Sequence, residues 1–195
     1  MARFISHSLL GATLLWGASP GAAGEPVSPD AAPPISEERV HVVGLPEHKW
    51  SFFFDTETMA ATSLKGQWGN LTEAEQKRFT GLMAQLIYHA FQRFQRELKA
   101  YEVTLGAEER RTDGWFERKF SGRPRDPKDL SLEFTLVFSR DERGQCELKD
   151  WIRDELSTVT VYRSQFLKIL RNEGFPVLIE KMRTKIKKDT AAPAG

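Results

Sequence analysis

Four histidines, His7, His41, His48 and His89, are the residues of this 195-residue chain best suited to proton transfer or metal binding. None forms the His-x-x-x-His pair that presents two imidazoles to one ion, so no zinc site is expected. His89 falls between polar positions of a helical pattern and reads as a surface or boundary residue. Asp150 and Asp154 stand near Trp151, and a carboxylate buried beside an apolar surface can rise into the range of a general base. A solvated carboxylate at a strand end is the plainer reading of the same pair. Cys146 is the single cysteine, which excludes an internal disulfide and suits a small apolar filler. No Gly-x-Ser-x-Gly, phosphate-loop or dinucleotide fingerprint occurs. The chain is therefore expected to be no enzyme and to need no metal or other cofactor.

Charge narrows the field further. Twenty-eight basic residues stand against 27 acidic ones, so binding nucleic acid by counterion release is not expected. The basic stretch 181–188 holds Lys181, Arg183, Lys185, Lys187 and Lys188. It reads as a solvated helix end, where cations favour the dipole; contact with anionic headgroups or an acidic partner is the alternative.

What remains distinctive is apolar. Phe79, Leu82, Met83, Leu86, Ile87, Ala90, Phe91, Phe94 and Leu98 recur at three- and four-residue steps, one stripe on a long helix. Thr72 and Glu75 form the capping box that opens it. Further on, Leu130, Leu132, Phe134, Leu136 and Phe138 alternate with Ser131, Glu133, Thr135, Val137 and Ser139, the period of a strand with one buried face. Tyr101, Val103 and Leu105 predict a strand, residues 115–120 a second, and residues 145–153 a partner for the alternating one. Residues 108–114 and 122–127 read as turns. A first helix is expected after Asp55, running to about Gly66 or Trp68. Val159, Tyr162, Phe166 and Ile169 predict a late helix, Gly174 its end, and Leu178, Met182 and Ile186 another. Helices, then strands, then helices make an α+β domain with an antiparallel sheet.

The N-terminus has its own character. Arg3, then the apolar run at residues 9–16, then small residues through Gly24 have the layout of a secretory signal peptide. Four prolines at residues 25–38 indicate a flexible leader. Residues 1–24 are accordingly expected to be a cleaved signal, 25–50 a proline-rich leader, 51–187 the folded domain and 188–195 a loose tail.

Two stretches resemble a known family. The first is Phe54-Asp55-x-x-x-Met59-Ala60, Gly66-Gln67-Trp68, Leu71-Thr72-x-x-Glu75-Gln76 and Phe79. The second is Leu148-Lys149-Asp150-Trp151, Leu156-Ser157, Tyr162-Arg163-Ser164-Gln165-Phe166, Ile169-Leu170 and Glu173-Gly174-Phe175. Together they resemble the MlaC family of periplasmic phospholipid-binding proteins, also described as toluene-tolerance proteins or auxiliary components of an ABC transporter. The resemblance implies an NTF2-like-related curved sheet with helices that enclose acyl chains. It also implies a monomer in the periplasm with a phospholipid as cargo. Its partners would be an inner-membrane ABC transporter complex and an outer-membrane lipoprotein complex, which brings it transiently close to membranes. Members usually carry a longer helical segment before the Phe-Asp region than this chain has.

On pattern alone the two apolar faces fill each other as a plain core. The resemblance turns them into walls for a lipid: Met83, Leu86, Ile87 and Phe91 from the helix and Leu132, Phe134, Leu136 and Phe138 from the strand, with Trp151, Val159 and Phe166. The alternatives from the residues themselves are an interaction module with a filled core, or a small enzyme using Asp150 or Asp154.

Overall fold

A computed structural model describes residues 40–41 and 51–191, so the expected signal and most of the leader lie outside the described residues. The strands are β1 Val40–His41, β2 Ser51–Phe54, β3 Tyr101–Arg110, β4 Phe116–Pro124, β5 Leu132–Arg140, β6 Cys146–Arg153 and β7 Leu156–Ser157. The helices are α1 Thr56–Leu64, α2 Glu73–Leu98, α3 Thr158–Glu173 and α4 Phe175–Ala191. Among the described residues the sheet runs in the order β1-β2-β6-β5-β4-β3, with β7 paired to β6. This is the α+β architecture expected.

Helix α2 starts where its capping box places it. The Thr72 hydroxyl accepts the Glu75 amide at 3.3 Å, and the Glu75 carboxylate accepts the Thr72 amide at 2.9 Å. Two donors that the first turn cannot satisfy internally are thereby paired. Thr72→Ala is expected to cost about 1 kcal/mol, read as a lowered thermal midpoint with the fold retained. The apolar stripe of α2 then lies buried from Phe79 to Leu98.

Strands β3 to β6 form an antiparallel meander. Phe120 pairs with Phe134 and Leu136 with Trp151, so these residues share one face of the sheet. That face meets α2, while α1 and α4 each pack on both α2 and α3.

Four boundaries differ from the sequence expectation, each for a physical reason. Strand β4 continues through Gly122 to Pro124, where turn residues predicted a loop. Gly122 sits so close to its neighbours that a Cβ there would lie 3.2 Å from Tyr101 and 3.3 Å from Leu132, so the glycine serves strand packing. Strand β3 runs into the polar stretch as far as Arg110, because a register shift after Leu105 lets Glu108, Glu109 and Arg110 pair with Arg118, Glu117 and Phe116. The first helix gives way after Leu64 to a 3₁₀ turn, Lys65–Asn70, with Lys65 at a φ of 50°. Helix α4 reaches Ala191, into the stretch read as a tail, with Lys185 paired to Asp189 one turn on.

Strand β2 adds what the antiparallel expectation lacked: it lies parallel to β6, Phe52 opposite Cys146 and Phe54 opposite Leu148. Phe52 and Phe54, on one face of β2, thereby close one side of the interior against Phe91.

Candidate functional site

The interior between the sheet and the helices gathers all eleven residues predicted to contact a lipid. Met83, Leu86, Ile87, Phe91, Leu132, Phe134, Leu136, Phe138, Trp151, Val159 and Phe166 are each at most 4 % exposed. Phe94 of α2 meets Phe134 edge-on at 4.9 Å, and Phe134 stacks on Phe120 at 4.6 Å. Phe91 meets Trp151 at 5.6 Å and both Phe52 and Phe54 at 5.3 Å. At the far end of α2, Phe79 packs on Phe166 at 5.4 Å, and Phe166 on Tyr162. Ring contacts thus link Phe91, Phe134 and Trp151 through Phe94, while Phe166 is linked separately to Phe79 and Tyr162.

Periodicity missed several members of this interior. Phe52 and Phe54 enter through the parallel strand, and Phe120 through β4. Their signal was the Phe52-Phe53-Phe54 run, which had to be buried somewhere, and the place of Phe120 at the end of the strand expected at residues 115–120. Tyr162 also lies inside, its phenol pushed well above its ordinary pKa by burial. Its neighbour Arg163 donates from Nε to the Thr62 carbonyl at 3.0 Å, tying α3 to α1.

The polar candidates take structural positions. Asp150 accepts hydrogen bonds from the Ser157 hydroxyl and from the Val159 amide at 3.1 Å, fixing the corner where β6 turns through β7 into α3. Burial raises its pKa, outweighing those hydrogen bonds. A carboxyl with a raised folded pKa favours the fold most below its unfolded value, and that contribution is lost as pH rises through the folded pKa. Asp150→Ala orphans the Val159 amide, and a cost of about 1–2 kcal/mol is expected in urea denaturation. Asp154 is exposed in the following turn at a φ of 48° and pairs with Arg153. His89 is half-buried beside Thr190, and burial lowers its pKa. Among the described residues, no three His, Cys, Asp or Glu side chains gather as a metal site. No described helix is long and apolar enough to cross a membrane.

Charge enters the inner sheet face at one rim. Arg118 lies opposite Leu136 on β5 and opposite Glu108 on β3, and Arg140 follows Phe138 two residues along β5. The Glu108 carboxylate accepts from Arg118 at 2.8 Å and from Arg140 at 2.8 and 3.0 Å. The Arg140 guanidinium lies 5.4 Å from the Phe138 ring centroid and 5.7 Å from that of Phe116. It also donates to Cys146 Sγ at 3.3 Å. The thiol is half-buried, and burial pushes its pKa up.

The opposite face of the sheet is polar. There Thr104, Lys119, Ser121, Glu133, Thr135 and Ile152 line an open cleft of about 800 Å³.

A family model described as MlaC protein matches residues 37–184. The fold is similar to the solved structure of the phospholipid-binding protein from Ralstonia solanacearum in complex with a phospholipid. That alignment has 11 % identity and a TM-score of 0.58, and it covers 70 % of this chain and 75 % of that one. No curated protein matches the sequence.

Proposed function

The chain belongs to the MlaC family, and from that premise we propose that it binds a phospholipid with the acyl chains between the inner sheet face and α2. One observation carries this reading: the eleven residues predicted as lipid walls form the apolar interior of a fold shared with a phospholipid-bound protein. Each buried methylene contributes about 0.8 kcal/mol, so a dry lining of this kind can compete with a bilayer for a lipid tail. Phe91, Phe94 and Phe134 touch in the structure, so tails enter by displacing aromatic side chains rather than by filling an empty channel. The protein carries its cargo without chemistry, and Asp150 serves as a structural anchor.

The finer reading follows the family and the N-terminus. The charge, apolar run and small residues of residues 1–24 support export to the periplasm with a cleaved signal. There the protein shuttles phospholipid as a monomer between an inner-membrane ABC transporter complex and an outer-membrane lipoprotein complex.

Native mass spectrometry of protein isolated from the periplasm without added detergent tests the binding reading. Near-unit phospholipid, released on denaturation, is expected. A lipid-free mass under conditions that keep the load of an established carrier would favour an interaction module with a filled core.

A further inference from the structure

We propose that Arg153 and Glu97 form a latch that fastens the C-terminal turn of α2 to the inner sheet face and sets how fast a lipid tail passes between them; this rests on the phospholipid reading above. Arg153 lies opposite Phe134 across β5 and β6, so it shares the inner face with that ring, at the end away from Glu108. It is 9 % exposed. Its guanidinium donates from Nη1 to the Glu97 carboxylate at 2.5 Å, reaching from the sheet to the helix that covers it. The Glu108 cluster, by contrast, joins strands to one another. Phe94 stands one turn before Glu97 and meets Phe134. The ion pair and the aromatic contact that a tail must displace therefore part together.

A second anion makes the pair a latch rather than a fixed strut. Arg153 Nε donates to the Asp154 carboxylate at 3.3 Å, and Asp154 is its neighbour in the chain, so this bond stays with β6 when α2 moves. Asp129 also stands near, acting with Glu97, Arg153 and Asp154 on the Tyr101 phenol. A buried charge left without any partner is strongly destabilising. Opening strands none here: the guanidinium stays among carboxylates, and Glu97, whose side chain is already 36 % exposed, returns to water. The turn suits the task. Arg153 pairs with Leu156 across Asp154 and Glu155, which stand at positive φ of 48° and 65°. Two-residue hairpin turns of this kind accept asparagine or aspartate at the first position. The carboxylate is what aspartate adds for Arg153. Leu130, two residues before Leu132 at this end of β5, is 72 % exposed and puts an apolar side chain where a tail leaves the interior.

The test is the rate at which loaded protein gives up phosphatidylglycerol bearing a pyrene on one acyl chain to phosphatidylcholine vesicles. Stopped-flow fluorescence reads the rate, and thermal midpoints are measured beside it. Glu97→Gln weakens the bond to the helix and is expected to release the lipid about fivefold faster. Asp154→Asn keeps the turn and carries the opposite sign: Arg153 then depends more on Glu97, and release is expected to slow by about twofold. A purely structural ion-pair cluster would give faster release in both variants, in step with lowered midpoints, and that result overturns the latch. So does slower release from Glu97→Gln. Uptake by all three proteins with equal release rates overturns the latch alone. If none of them takes up the lipid, the phospholipid reading fails and the latch falls with it.

Discussion

Phe134→Asp is expected to abolish the phospholipid load and to lower stability by about 3–5 kcal/mol or more. Phe134 is 4 % exposed and lies between the Phe94 ring, edge-on, and the Phe120 ring, stacked. Aspartate there removes both ring contacts, a loss comparable to a buried Phe→Ala change, and adds a carboxyl with no partner in the apolar interior. The carboxyl also stands where a tail is to pass. Phe134→Leu separates the two effects, because it keeps the site apolar and the cost near that of a modest cavity. The leucine variant is expected to retain lipid and the aspartate variant to lose it, by native mass spectrometry alongside urea denaturation. An aspartate variant with full load and wild-type midpoint would remove Phe134 from the lipid path.

The second large effect is expected at the junction of β2 and α1. Asp55 caps α1, accepting the Thr58 amide at 2.9 Å and the Thr58 hydroxyl at 2.7 Å. Its carboxylate also takes the ammonium of Lys149, which is 9 % exposed on β6 and lies 3.1 Å from Glu147 as well. Its backbone amide donates to the Leu148 carbonyl at 3.0 Å. The pair thus locks the parallel strand and the first helix onto the sheet. Removing one partner of a buried pair leaves the other charge stranded, which costs about 3–5 kcal/mol; Glu147 still serves Lys149, so Asp55→Ala is expected near the lower figure.

The pH dependence has a defined sign. Burial pushes the Asp55 carboxyl up, but the hydrogen bonds from Lys149 and Thr58 outweigh it and hold the pKa below its ordinary value. A depressed folded pKa gives stability that is present above the unfolded value, about 3.9, and lost as pH falls through the folded one. The gap between wild type and Asp55→Ala is therefore expected to be full at neutral pH and to shrink in strong acid. Urea denaturation at both ends of that range checks it; a gap that widened in acid would contradict the assignment.

Local patterns made much of this fold legible. The capping box and stripe of α2 and the alternation of β5 each depend on residues within a few positions of one another. Their structure follows from periods of 3.6 and 2. The parallel β2 was not legible in that way, because Phe52-Phe53-Phe54 has no alternation and its partner, Cys146 to Leu148, lies far along the chain. Gly122 misled for a related reason: a glycine reads as a turn until the strand beside it is known to need the space. The signal expectation and most of the leader expectation concern residues outside those described, Val40–His41 of the leader pairing with β2.

The residues proposed to contact lipid show a different limit. Met83, Phe91, Phe134 and Trp151 were correctly read as facing inward, yet a core and a pocket wall have the same apolar period. Only the resemblance at both ends of the domain favours the pocket-wall reading over the plain core. The arginine pair was not visible at all from local reading. Glu108, Arg118 and Arg140 come from three strands, and nothing but the register, including the shift after Leu105, brings them to one point.

The most direct test of where the lipid lies is photocrosslinking with a phospholipid that carries a diazirine near the end of one acyl chain. Adducts mapped by peptide mass spectrometry are expected on the inner face, at Phe91, Phe94, Phe134 or Trp151. Adducts confined to the polar cleft on the opposite face, at Lys119 or Thr135, would show that the tails do not enter the interior and would contradict the account.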